Sequence, residues 1–250
     1  MLHLAAYYKS VDPAAVTTLI SAVPDQAIFT SGNDVRVPKD LANLAAEAAL
    51  SAAAIPQYGE VQSPSLRELA NQDIFPIAAA AKFGAQDQVQ HHFDNPRSLK
   101  AAESVNFGIN ATGGAAAVNY GLIWLSDGPV KPTTGKIFTV QASGTATLAA
   151  GTWVNTPVDF DTVLPAGTYQ VVGFRAQGAN LVASRLVFIG AAYRPGVPGE
   201  VSSANQYFPW TRMGKMGVFG QFDINQPPTV DCLGATDVAQ VFAFDLIQTG

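Results

Sequence analysis

Few residues in this chain have the types and spacing that chemistry needs. His91-His92-Phe93-Asp94 is the only local cluster of metal-ligating types. Adjacent histidines on an extended strand point to opposite faces, so the pair does not converge on one ion. The third histidine, His3, is distant in sequence. The cluster therefore reads as surface or interface histidines and not as a metal site. Asp159 and Asp161 stand two apart, which puts both carboxylates on one side of an extended segment. Glycoside hydrolysis does use two carboxylates, but they flank a cleft that holds the sugar. Here the pair precedes the turn Leu164-Pro165-Ala166-Gly167, where Asp commonly serves the backbone, so a structural role is expected. The pair also lacks the oxygen-ligand spacing of a calcium loop. Cys232, the single cysteine, has no nucleophile motif around it and reads as a buried thiol. No serine sits in a GxSxG context, and Gly113-Gly114 is not followed by a phosphate-binding fingerprint. The chain is read as non-enzymatic, with no cofactor and no metal.

Recognition by aromatic rings is the remaining chemistry. A Pro- and Gly-rich loop follows Gly190 and runs from Tyr193 to Trp210. Its rings can stack on sugars or anchor a subunit contact. Tyr193, Tyr207, Phe208 and Trp210 are the candidate interface or ligand contacts. Trp124 and Trp153 lie in strand-like segments and are expected in the core.

Composition narrows the class. The chain has 250 residues, 48% of them hydrophobic, which is ample for a core. Charged residues make up 13%, against a usual share of about 25%. A surface so poor in charge is either covered by small polar residues or buried against partners, as in obligate assemblies. The net charge of −5 is spread evenly, with 7 basic and 10 acidic groups in residues 1–100 and 7 and 9 in the rest. No basic arm or patch stands out, so sequence-specific nucleic-acid binding is not expected. A lone cysteine permits no intrachain disulfide. The start MLHLAAYYKSVDP lacks a secretory pattern, and no apolar run reaches the ~18 residues of a membrane span.

The elements that position these residues change character along the chain. Asp12-Pro13 offers a helix cap, with Ala14 to Ala22 following. Residues 26–38 read as a hairpin around Ser31-Gly32-Asn33-Asp34. Residues 39–54 place Leu41, Leu44, Ala45 and Ala48 at helical spacing and predict a helix. A second helix is expected after Ser63-Pro64. Residues 77–100 read as an irregular connection with a short strand near Val89. From Glu103 onward the pattern alternates, and about eight short strands are expected up to Ile247. The most concentrated set of strand and turn signals lies between Thr152 and Gly190. The expected fold is mainly β: an antiparallel, jelly-roll-like β-sandwich over residues 101–250, preceded by a helical and irregular N-terminal region over 1–100. A helical 39–80 leaves room for one jelly roll and not two.

The strand series from Val105 to Ile247, the LPAGTYQVVGF turn-and-strand and the low-charge, Gly- and Pro-rich loops resemble a viral, phage-type jelly-roll capsid protein. The resemblance implies a structural virion protein, made in the host cytoplasm without a signal peptide. Its partners would be copies of itself (a trimer, pentamer or hexamer) and other virion proteins. The chain departs from many RNA-virus coat proteins in lacking a basic arm. The alternative is a sugar- or receptor-binding β-sandwich of a phage tail or fibre, using the loop aromatics. A glycosidase using Asp159 and Asp161 is a third, weaker reading.

Overall fold

The computed structural model describes residues 1–68, 73–79, 83, 89–113, 117–200 and 208–250. The chain forms two compact units, His3–Pro129 and Val130–Gly250, the latter also taking in Met1–Leu2. In both units nearly all the regular elements are strands.

The first unit contains β1 (Leu2–Ser10), β2 (Thr18–Ala22), β3 (Thr30–Ser31), β4 (Asp34–Arg36), β5 (Asn43–Ser51) and β6 (Ile55–Gln62). It continues with β7 (Asp73–Phe75), β8 (Ala78–Ala79), β9 (Val89–His91), β10 (Arg97–Ser98), β11 (Ser104–Thr112) and β12 (Val118–Ser126). The main strand order is β10-β5-β12-β1-β2-β11-β4-β3, with β6 and β7 added beyond β11. This sheet folds over on itself. Gly121 of β12 faces the ring of Phe107 on β11, so closely that a Cβ would lie 2.6 Å from it. β2 joins the layers by pairing with β1 (Tyr7↔Ala22) and with β11 (Phe107↔Ile20). Between the layers, Tyr7 stacks tilted on Phe107 and donates its hydroxyl to Val105 O at 2.7 Å.

The helices expected over 14–22 and 39–54 give way to strands. Asp12 does accept a backbone N–H, that of Ala14 at 3.0 Å, but as an Asx turn. Ala14 and Ala15 both have positive φ, so the chain reverses there and β2 follows. Residues 39–54 form one 3₁₀ turn (Lys39–Leu41) and then β5. Seven of the nine β5 residues from Leu44 to Leu50 are hydrophobic or Glu47, and all are buried. A strand buried on both faces does not alternate, and its alanines imitate a small-residue helix. Packing overrides helix propensity here. The one α-helix among the described residues, α1 (Pro64–Glu68), does follow the Ser63-Pro64 cap: Ser63 Oγ accepts Leu66 N–H at 3.2 Å. The expected division near residue 100 falls within this unit, because β11 pairs with β6 and β12 pairs with β5.

The second unit contains β13 (Phe138–Gly144), β14 (Val154–Thr156), β15 (Asp159–Phe160), β16 (Thr168–Gln177) and β17 (Leu181–Val187). It ends with β18 (Gly196–Glu200), β19 (Gly220–Asp223), β20 (Thr229–Gly234) and β21 (Gln240–Gln248). The order is β14-β20-β17-β18-β16-β21-β13-β15, with β19 beside β16. The two ends of this path meet, since Thr145 N–H donates to Thr156 Oγ1 at 3.2 Å. The result is sandwich-like. β18 links the halves: it is antiparallel to β17 (Ala183↔Pro198) and parallel to β16 (Ala176↔Gly199). The sheet is thus not wholly antiparallel. Phe174, Phe242 and Phe244 pack the interior at ring distances of 5.0 and 5.8 Å. The opposite face of β13, β21 and β16 carries Gln141, Arg175, Gln177 and Val241 around a shallow pocket of about 90 Å³. Among the described residues no helix is long and apolar enough to cross a membrane.

Candidate interaction surface

The residues singled out in sequence are scattered by the fold. Phe208 (1% exposed) and Trp210 (8%) lie on and beside a 3₁₀ turn (Pro209–Thr211), their rings edge to face at 5.8 Å. Both rings are spent on packing within the unit, because the turn folds them inward. Tyr193 is half-buried, and Tyr207 lies outside the described residues. Trp124 is buried as expected. Trp153 is half-buried, with its ring under the guanidinium of Arg185 at 4.1 Å.

The three histidines do not meet. His91 stacks on Phe93 at 5.1 Å. His92 turns to β5 and donates Nε2–H to Glu47 Oε1 at 2.9 Å. His3 is buried against Asp25 at 3.0 Å. Glu47 is itself fully buried, and its hydrogen bond raises the His92 pKa against the opposing effect of burial. No cluster of three metal-ligating side chains occurs among the described residues. Cys232 is buried, and burial pushes its thiol up to about 12.

The second unit withdraws its arginines from the surface. Arg185 and Arg194 share Asp231, at 3.0 and 2.7 Å, and Asn155 Nδ2 donates to the same carboxylate at 2.9 Å. Arg175 pairs with the buried Glu200, which also accepts Phe208 N–H at 3.1 Å. Burial raises the Glu200 pKa more than Arg175 lowers it. Arg212 pairs with Asp245. All four arginines of residues 130–250 are thereby held by carboxylates. The three lysines there, Lys131, Lys136 and Lys215, are exposed.

The fold brings the segment that carries Lys131 and Lys136 against the loop that carries Lys215, two stretches that sequence order separates. Thr133 N–H donates to Gly214 O at 2.8 Å, which docks segment 131–136 on loop 212–218. Gly214 and Gly217 have positive φ, and a Cβ on Gly217 would lie 2.7 Å from Lys131 O. Met213 and Val218 are exposed on the same loop. Nothing in the linear spacing of Lys131 and Lys215 signals this patch; only the backbone pairing does.

Asp159 and Asp161 occupy the edge. β15 pairs with β13 (Ser143↔Asp159), and Asp161 N–H donates to Gln141 O at 3.1 Å. Both side chains are exposed, at the start of a loop whose Val163 is 94% exposed. Asp159 lies on this edge strand and Asp161 just beyond its end.

No protein-family model matches this chain, and no curated protein matches it. Among solved structures it is similar to the major capsid protein P2 of bacteriophage PM2, at 10% identity and a TM-score of 0.25, over 98% of this chain and 97% of that one.

Proposed function

We propose that the chain is a structural virion protein, jelly-roll-like in its units, that assembles with copies of itself and with other virion proteins into a capsid or similar shell. One observation carries the reading: an already charge-poor chain buries charge and exposes apolar side chains. Glu47, Glu60, Arg185, Glu200, Arg212, Asp231 and Asp245 are buried. Meanwhile Val16, Phe29, Ile55, Val163 and Ile189 are each more than half exposed. Burying ion pairs is costly and adds little stability, whereas a surface poor in charge and dotted with apolar groups suits large contacts between subunits. Assembly of sandwich units proceeds by burial and needs no catalytic group. On this reading the protein is no enzyme and works in the virion.

The test is electron microscopy with light scattering on the purified chain. Shells or discrete oligomers such as trimers, pentamers or hexamers are expected. A strictly monomeric protein at high concentration overturns the reading.

A further inference from the structure

We infer that Asp159, Asp161 and Val163 of one copy dock on Lys131, Lys136, Lys215 and Met213 of a second copy of this chain. The inference rests on the assembly reading above and names the contact.

The basic side is built, not incidental. The ammonium groups of the three lysines make no hydrogen bond or ion pair among the described residues. Met213, two residues before Lys215 on the same loop, has φ +53, a left-handed conformation that a non-glycine residue adopts at a cost, and its side chain is half exposed. The strain is maintained by the interior: Asp245 Oδ2 accepts the Met213 N–H at 2.7 Å. A buried carboxylate thus pins the backbone of a loop that carries both an exposed apolar side chain and Lys215.

The acidic side is its complement. The carboxylates of Asp159 and Asp161 also lack partners among the described residues. They stand two residues apart, on the edge strand and just past its end, near Val163, the most exposed large hydrophobic residue among those described. Each side therefore offers an apolar side chain framed by charge of one sign, and the two signs are opposite. Such pairing steers association and fixes register. A polyanion suits the basic side less well. Phosphate-binding surfaces favour free arginines, and the four arginines of residues 130–250 are all paired with carboxylates while the chain as a whole carries −5.

The experiment exchanges the charges. One variant carries Lys131→Glu, Lys136→Glu and Lys215→Glu; the other carries Asp159→Lys and Asp161→Lys. Assembly of the full-length chain is followed by light scattering at low and at 0.5 M salt. Wild type is expected to assemble and to loosen in salt. Each variant alone should fall to smaller species, and mixing the two one to one should restore association between unlike copies, at least as pairs, since each charge-reversed face then meets its opposite. A second measurement guards against misfolding: on mixing Val163→Cys and Met213→Cys variants, a disulfide-linked pair should form on oxidation. Variants that assemble like wild type, or a mixture that neither recovers nor cross-links, overturn the contact and leave the assembly reading standing. A wild type that stays monomeric overturns both. A DNA oligonucleotide retained by wild type and lost by the lysine variant, with assembly unchanged, replaces the contact with a nucleic-acid surface.

Discussion

Arg212 grips Asp245 with both ends of its guanidinium, Nε to Oδ2 at 2.7 Å and Nη2 to Oδ1 at 2.6 Å. Asp245 also accepts the Thr139 hydroxyl at 2.7 Å and the Met213 N–H. It sits on β21 opposite a β-bulge, where the register shifts between Val171 and Gly173. A side chain at 173 would strike the carboxylate, since a Cβ there lies 2.2 Å from Oδ2. The bulge and the glycine open the space in which one carboxylate organises strand, loop and ion pair.

Removing one partner leaves the other charge buried and unpaired. Arg212→Leu is therefore expected to cost about 3–5 kcal/mol of unfolding free energy. Urea unfolding checks this. A loss below about 1 kcal/mol, the range of a surface pair, would show that the pair is not a buried one.

The two units should respond to pH in opposite directions. Burial works to raise the Asp245 carboxyl, but the Arg212 hydrogen bonds, the Met213 N–H and the Thr139 hydroxyl together bring it below its usual value. Its contribution is present above the unfolded value of about 3.9 and is lost as pH falls through the lower folded one. His92 is raised by its hydrogen bond to Glu47. Its contribution is complete below about pH 6.5 and is lost as pH rises through the folded value. Melting temperature against pH should fall on both sides. Asp245→Asn should flatten the acid limb and His92→Gln the alkaline one. An alkaline limb unchanged by His92→Gln would refute that assignment.

What was legible in sequence follows from whether a strand shows one face or two. β16, β17 and β21 announced themselves through aromatic and β-branched residues set between turns. β5 did not, because Ala45, Ala46, Ala48 and Ala49 satisfy a helix template while packing on both sides of a strand. β18 was hidden by Gly196, Pro198 and Gly199, residues that normally mark loops. They are allowed here because the strand bridges two half-sheets at close range. β20 followed Pro227-Pro228 and drew no strand signal, although Val230, Cys232 and Leu233 are wholly buried. The interaction surface was the least legible. Asp159 and Asp161 were visible as a pair, but Lys131 and Lys215 become neighbours only through the Thr133–Gly214 bond.

Cys232 tests the interior of the second unit without a mutation. It is fully buried, Ser184 Oγ donates to its sulfur at 3.5 Å, and its thiol is pushed up to about 12. The reactive thiolate is thus scarce at pH 8. A disulfide reagent at that pH should label the native protein only at the rate of unfolding, and label it at once in 6 M guanidinium. Immediate stoichiometric labelling of the native chain would contradict the burial.

Gly199 tests the strand that links the half-sheets. A Cβ at that position would lie 2.4 Å from the backbone oxygen of Leu181, a neighbour that cannot rotate away. The adjacent pairs Ala176↔Gly199 and Ala183↔Pro198 hold β18 between β16 and β17, so the clash cannot be relieved without parting one of them. Gly199→Ala is expected to cost about 1–3 kcal/mol, the range of overpacking in a tight interior. The comparison is Gly190→Ala. Gly190 has open space around it but a φ of +78, so that change costs only the backbone strain, about 1 kcal/mol. Paired denaturation curves should rank Gly199→Ala as the more damaging substitution, and the reverse order would mean that β18 does not bridge the two half-sheets at this range.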